Sequence, residues 1–353
     1  MKYKIYFRKP KKTKILVYYS YEENDIYLKK ILKNNFYIYK GKYELNLFTL
    51  FFTIFKNGIF NIKKNYFINQ IKFLNPKIAV TLNDLNKKFY EIKNIDKKIK
   101  LISIQSSQRF EPQYYPLKNS KADFYLSCGK YFSNLASKYI NAKFIEIGSF
   151  RNNFFKSNLS KKKSLVFISV FKLNHKKISP GEVRILRYLE RFCLKYNFKL
   201  NIFGRLKYNS NLKKKYKSII SKVECKFIDN NKVFHSFYNL YKDFDIFIFE
   251  RSTSAYETTA LGKKTLVFNF YNTDKAWYSK HGMTENFPMD KSKAEGPFWS
   301  HDCSYEEFEN KMFKVINMNI KSWKKISNSI IKNTMIYDYK NKKLKKILSN
   351  LLI

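Results

Sequence analysis

The chain has 353 residues, with 70 Lys+Arg against 27 Asp+Glu for a formal net charge of +43, yet at 44% hydrophobic it can bury a sizeable core, so the charge does not imply disorder. Nine glycines and seven prolines are too few for a collagenous or linker-like chain. Four scattered cysteines (Cys128, Cys193, Cys225, Cys303) with no CxxC pair argue against a disulfide framework or structural zinc site and for a reducing cytoplasm, and the length predicts two domains.

The opening segment, MKYKIYFRKPKKTKILVYYS, is charged up to Ile15 and lacks the apolar run and small-residue cleavage site of a secretory signal. Short β-branched and aromatic runs then alternate with longer helical patterns, as α/β units with parallel strands do. In the first half, strands are predicted at Lys14–Tyr19, Ile78–Leu82, Leu101–Gln105, Phe124–Ser127 and Phe144–Ile147. Helices are predicted at Glu22–Lys33, Leu45–Lys56, Asn86–Ile92 and Tyr131–Tyr139. The most apolar stretch, Leu47–Phe55 (LFTLFFTIF), is far shorter than the ~20 residues of a spanning helix. It reads as a buried helix of the first domain; the alternative is an interfacial patch touching membrane or a lipid-linked substrate.

Residues 157–164 (SNLSKKKS) are polar and read as a linker. A second series follows, with strands at Leu165–Val170, Lys199–Phe203, Cys225–Ile228, Asp245–Phe249 and Lys264–Asn269. Its helices are expected at Gly181–Tyr196, Leu212–Ser221, Lys232–Tyr241 and Ser254–Leu261, and the chain is helical from Tyr305 onward. The fold class is therefore α/β: a Rossmann-like domain over 1–156, a linker over 157–164, a second Rossmann-like domain over 165–325 and a helical tail over 326–353. Doubly wound halves bind ligands at the carboxyl ends of their strands, so the loops after strands are where function is sought.

Only eight of the 70 basic residues are arginine. Lysine spread over the whole length reads as compositional drift rather than a groove-reading surface, since base readers favour the arginine fork. A basic polyanion (nucleic-acid) binding protein is the alternative class, and its mark is affinity that falls steeply with salt. Four arginines fall just past predicted strands: Arg109, Arg151, Arg205 and Arg251. Arginine binds phosphate or carboxylate bidentately where lysine cannot, so these mark candidate anion sites; salt-bridge partnership is the plain alternative. Arg184, Arg187 and Arg191 share one helical face and read as surface.

The most informative segment is Asp245–Asn269, DIFIFERSTSAYETTALGKKTLVFN. A strand ends at Phe249, and Thr253 or Ser254 suits a helix N-cap. The helix N-terminus, its dipole and Arg251 make an anion site, and Glu257, expected in the first turn, suits ribose hydroxyls. A capping box alone explains Thr253 and Glu257 but not Arg251.

This segment resembles the donor-binding helix of GT-B glycosyltransferases, in particular bacterial surface-carbohydrate (capsule and lipopolysaccharide) biosynthesis proteins, relatives of capsule and teichoic-acid polymerases. Further pieces resemble that group in the same order: IAVTLND (Ile78–Asp84), ISIQSSQR (Ile102–Arg109), FYLSCGKYF followed by IEIGSFRNN, and EGPFWS (Glu295–Ser300) before SYEEF. Ser106-Ser107 departs from the Asn-Gly expected in the glutamine loop. The resemblance implies GT-B architecture, with an acceptor-side first domain, a nucleotide-sugar-binding second domain and C-terminal helices crossing back toward the first. It implies a glycosyltransferase moving a sugar from a nucleotide donor to a surface glycan or lipid-linked acceptor, with a sugar-nucleotide epimerase on the same fold as the alternative. Arg205 and Arg251 would neutralise the diphosphate, Ser252, Thr253 and Ser254 would bind phosphate, and Glu257 the ribose. No metal or cofactor is expected, because arginines, lysines and a helix dipole stabilise the leaving group. Asp84 is the first candidate for general base and Glu111 the second. Gln105, Arg109, Arg151 and His281 would line the acceptor side. Expected partners are the nucleotide sugar, the acceptor and an anionic membrane at the inner face of the cytoplasmic membrane, with no specific nucleic acid. His301, Trp277, Phe298 and Trp299 are lesser candidates for ligand contact, the aromatics reading first as core.

Overall fold

The computed structural model describes residues 4–19, 22–32, 36–40, 43–156, 164–169, 178–204, 210–229, 236–270, 274–276, 287–289 and 295–352. The chain forms two compact units, residues 1–154 with 338–353 (unit 1) and residues 155–337 (unit 2). Arg205, His281 and Trp277, and residues 157–163 of the predicted linker, lie outside the described residues.

Unit 1 contains β1 (Lys4–Tyr6), β2 (Ile15–Tyr18), β3 (Phe36–Tyr39), β4 (Glu44–Asn46), β5 (Ile78–Thr81), β6 (Lys100–Ile104), β7 (Ser120–Ser127) and β8 (Ile140–Glu146). Six of these make a sheet in the order β3-β2-β5-β6-β7-β8, every pair parallel, and β1 with β4 makes a small parallel pair. Every residue of β2 and β5 is buried. That is why ILVY and IAVT read as unbroken apolar runs: a parallel sheet covered on both faces has no solvent side to alternate with. Leu16, Ala79, Leu101 and Tyr125 are the centre of that core, each 0% exposed.

The chain's last segment completes unit 1. Asp338 N–H donates to Asn153 Oδ1 (3.0 Å), Asn153 Nδ2 to Asn341 Oδ1 (2.9 Å), and Asn341 Nδ2 to the Phe150 carbonyl (3.0 Å). Asn153 and Asn341 are 0% exposed, so the helix Lys342–Leu352 is tied on by satisfied buried amides.

Unit 2 contains β9 (Leu165–Ile168), β10 (Leu200–Phe203), β11 (Cys225–Ile228), β12 (Ile246–Phe249), β13 (Lys264–Phe268), β14 (Glu295–Gly296) and β15 (Trp299–Ser300). Its order is β11-β10-β9-β12-β13-β15-β14, parallel except for the β14–β15 pair. Strand order reverses between β9 and β12, so the crevice at their carboxyl ends is the topological switch point.

Most predicted elements stand within two residues of their expected bounds. Several pieces of unit 1 differ: β1 and β4 were not foreseen, and β7 and β8 each begin four residues earlier than expected. The sequence reading missed β3 and the helix Ile62–Leu74, whose apolar residues are interleaved with asparagine and lysine. The helix Leu47–Asn57 forms as expected but is not buried as expected. Its hydroxyl residues Thr49 and Thr53 face inward, and Phe51 and Phe55 are 65% and 93% exposed.

In unit 2, Phe298 and Trp299 prove to be core. Phe298 packs edge-on against Trp323 and Trp299 against Phe287. EGPFWS is thus a tight hairpin whose Gly296 lies under the Trp299 ring; a Cβ there would sit 2.1 Å from it.

Candidate active site at the strand ends

In unit 1 the loops after β5 and β6 bring Asp84, Gln105 and Arg109 together. Arg109 forks onto Asp84 through Nε–Oδ2 (2.9 Å) and Nη2–Oδ1 (2.5 Å), with Asp84 0% exposed and Arg109 8%. The Tyr125 hydroxyl donates to Asp84 Oδ2 (2.9 Å), and Tyr90, which hydrogen-bonds the Ser103 hydroxyl, donates to the Asp84 carbonyl (2.7 Å). Burial pulls the Arg109 pKa down, but Asp84 beside it more than reverses this, so the guanidinium stays charged. Burial likewise pushes the Tyr90, Tyr114 and Tyr125 hydroxyls far up, keeping them neutral donors.

This geometry changes the expected roles. The bidentate contact foreseen for Arg109 exists, but its partner is internal. Asp84 does not present an oxygen to solvent: both are engaged by Arg109 and Tyr125, which suits a positioning residue rather than a base. The Ser106-Ser107 departure has a physical role. Arg109 donates to Ser107 Oγ (2.5 Å) and Ser106 Oγ (3.1 Å), and Gln105 pins the loop through Nε2 to the Ser107 carbonyl (2.8 Å) while accepting from Cys128 N–H (2.8 Å).

Glu111 opens the short helix Glu111–Tyr114. Its carboxylate is solvent-exposed and held below the usual carboxylate range by hydrogen bonds from Lys138 and Tyr139. Arg151 is half-buried in the turn after β8.

In unit 2 the switch point is built by two helices that start at the carboxyl edge of the sheet. Ser179 caps the helix Pro180–Tyr196, accepting from Glu182 N–H (3.2 Å) and donating to Glu250 Oε2 (2.7 Å). Glu250 directly follows β12. Ser169, directly after β9, donates to the Tyr216 hydroxyl, which donates to Glu182 Oε1 (2.8 Å). A buried chain of hydrogen bonds thus joins the ends of β9 and β12. Two carboxylates, Glu182 at 0% and Glu250 at 1% exposure, lie beside the helix starts, where the dipole favours negative charge.

Beyond Glu250 the backbone turns outward. Ser252, extended at φ 176° and ψ 150°, caps the helix Thr253–Ala260 by accepting from Ser254 N–H (3.1 Å). The cap is therefore one or two residues earlier than expected, because Ser252 is the last extended residue before helical backbone begins. Arg251, Ser252, Thr253 and Ser254 are all partly exposed at this edge. Glu257 falls in the second turn rather than the first and is 2% exposed, with both oxygens 3.1 Å from the Tyr238 hydroxyl. It is an interior residue of the helix, not an open ribose contact.

The sequence reading missed Ser179, Glu182 and Glu250. The first two were legible: Ser179-Pro180-Gly181-Glu182 is a Ser-x-x-Glu box with proline at the first helical position. His301 follows β15 at the same carboxyl edge; burial lowers its pKa, and Nε2 has no hydrogen-bond partner among the described residues.

A family model described as "putative O-antigen biosynthesis protein" matches residues 110–352. No curated protein matches the sequence. Among solved structures, the UDP-GlcNAc 2-epimerase of Neisseria meningitidis bound to UDP-GlcNAc matches with TM-score 0.61 at 14% identity, over 95% of this chain and 99% of that one. The UDP-GlcNAc 2-epimerase of Methanocaldococcus jannaschii matches with TM-score 0.54 at 9% identity, over 95% and 99%. The wall teichoic acid polymerase TagF matches with TM-score 0.52 at 13% identity, over 97% and 88%. At these identities it is the fold that is shared, the two-domain GT-B fold with parallel sheets.

Proposed function

This chain belongs to the O-antigen biosynthesis protein family, whose model covers residues 110–352, and from that premise we propose a glycosyltransferase that moves a sugar from a nucleotide donor to a surface glycan or its lipid carrier. One observation carries the reading. At the β9/β12 switch point of unit 2, Arg251, Ser252, Thr253 and Ser254 are partly exposed beside a helix N-terminus. A diphosphate there needs a full cation beside the helix N-terminus, and Arg251 supplies it. Arg251 takes the phosphate oxygens bidentately and stabilises the charge that develops on the leaving nucleoside diphosphate. Arg205, two residues past β10 in the sequence, is assigned the second phosphate cation from the family resemblance.

A thermal-shift panel at about 150 mM salt, where long-range attraction is screened, tests the assignment with UDP, GDP, CDP, CMP, dTDP and a short RNA. The expected result is stabilisation by one nucleotide that disappears in Arg251→Ala. Stabilisation by every polyanion alike, RNA included, would mean that the +43 charge and not a built site is responsible. A second reading, sugar-nucleotide epimerisation, is favoured by the higher TM-scores of the two epimerases. Conversion of the donor with no acceptor present would establish it.

A further inference from the structure

The helix Leu47–Asn57 of unit 1 is inside out. In water, an amphipathic helix turns its apolar stripe to the core and its polar stripe to solvent. Here Thr49 and Thr53 are 0% exposed, and their hydroxyls are spent inside the protein. Thr49 Oγ1 donates to Gln70 Oε1 (2.7 Å), Thr53 Oγ1 donates to the Thr49 carbonyl (2.7 Å), and Asn69 Nδ2 donates to Thr53 Oγ1 (3.0 Å). Asn69 and Gln70 come from the helix Ile62–Leu74, so the two helices meet across a polar seam.

The outer side is aromatic. Phe51 and Phe55 are 65% and 93% exposed, and Ile59 and Phe60, just past the helix, are 71% and 83%. Gly58, at φ 65° and ψ −167°, makes the turn that carries them, a backbone state open to glycine alone. Phe7, 74% exposed, joins Phe48, Phe51 and Phe55 around one shallow apolar depression. The strand before Phe7 is fixed beside the helix start by β1–β4 pairing and by Asn46 Nδ2 donating to the Arg8 carbonyl (2.9 Å). A contiguous surface of this kind marks an interaction site, because a chain left in water gains nothing from burying threonines and exposing phenylalanines.

The charge around it selects the partner. Residues 4–14 and 44–77 contain eleven Lys or Arg and one carboxylate, Glu44, which is 7% exposed. All eleven basic residues are exposed, and Lys56 and Lys9 lie over the rings of Phe52 (5.6 Å) and Phe73 (5.5 Å) at the patch itself. No helix among the described residues is long and apolar enough to cross a membrane. We propose that this face rests on an anionic lipid bilayer, its aromatic ridge sunk among the acyl chains and its lysines in the headgroup layer. A lipid surface accepts both features at once; a water-facing protein partner would have to supply an apolar groove rimmed with acid.

The experiment is co-sedimentation of the full chain with phosphatidylcholine vesicles and with vesicles containing phosphatidylglycerol. Binding is read with neither donor nor acceptor, so it stands apart from the transferase reading. Wild-type protein should bind the anionic vesicles, and Phe51→Asp/Phe55→Asp should reduce partitioning by at least about tenfold while the melting temperature holds. Lys63→Gln/Lys64→Gln should weaken binding by about threefold to tenfold and reduce its salt dependence. Phe51→Trp supplies a readout that needs no disruptive change: its indole emission should move to the blue on vesicle addition. Absence of binding to either vesicle, equal binding by the Asp variant, or an emission spectrum of the Phe51→Trp variant that vesicles leave unmoved would each overturn the proposal. So would a concentration-dependent dimer that the Asp variant abolishes without any vesicle binding, because a second copy would then cover the face.

Discussion

At the carboxyl edge of the unit 1 sheet, Arg109 lies 8% exposed and forked onto Asp84. At the same edge of the unit 2 sheet, Arg251 and the three hydroxyl residues after it stay partly exposed. Both arginines follow a strand by a few residues, and both suit bidentate contact with an anion. The difference lies in what the neighbouring loop offers. The loop after β5 delivers a carboxylate, Asp84, onto the guanidinium, so the charge is neutralised within the protein. In unit 2, Glu250 accepts from Ser179 and Glu182 from Tyr216, and Arg251 stays partly exposed. An arginine after a strand is therefore a candidate anion site where the fold leaves it partly exposed rather than burying it on a carboxylate.

The contrast breaks most visibly at Asp84. Asp84→Ala leaves the Arg109 charge buried and unpaired, which should cost about 3–5 kcal/mol in urea unfolding. Arg109→Met combined with Asp84→Leu should recover most of that loss, because it removes the stranded charge as well. A single-variant loss below about 1 kcal/mol, the range of exposed pairs, would show that the pair is not closed off from water. At the open edge the expected effect is on binding. Arg251→Ala should weaken nucleotide affinity by about tenfold to a hundredfold, the worth of a charge-assisted contact, as read by calorimetric titration. Ser252 separates capping from ligand contact. Ser252→Ala should cost about 1 kcal/mol of stability and Ser252→Gly only a few tenths, while a phosphate contact predicts that both lose donor affinity equally.

The same contrast explains what could be read from the sequence. The β12 strand and the turn after it were legible because IFIF is an unbroken apolar run and the polar stretch Glu250–Ser254 marks its end. The strands of both sheets other than β3, β14 and β15 were legible from their apolar runs. What could not be read was partnership across long separations. Nothing near Arg109 in sequence announces Asp84, 25 residues away, and nothing near Glu257 announces Tyr238. Leu47–Phe55 misled for the converse reason: its apolar run was clear, but its inward face is set by Asn69 and Gln70 on the next helix, itself missed because its apolar residues are diluted. Periodicity reports which residues share a face, and only the neighbour decides which face turns in.

The smallest effect lies at the other edge of unit 1, where Asp123 accepts from Lys93 Nζ (2.7 Å), Leu101 N–H (2.9 Å) and Lys100 Nζ (3.2 Å). Burial pushes its pKa up, but those three donors together outweigh burial and hold it below its ordinary 3.8. A carboxylate with a depressed folded pKa contributes stability above its unfolded value and loses it as pH falls through the folded one. The side chain is 17% exposed, so the contribution is at most about 1 kcal/mol. The stability gap between wild type and Asp123→Asn should therefore be constant near neutral pH and narrow below about pH 4. A gap that stays constant down to about pH 2 would assign Asp123 to packing rather than charge. Unit 2 also has a lowered pKa at its corresponding edge, but there the shift disfavours the charged form: Lys263, 0% exposed and 3.1 Å from Asp245, has its pKa lowered by burial. Its unfolded form binds the extra proton, so its influence grows more favourable as pH rises toward 10.5. Acid and alkaline titrations thus probe the two sheets separately.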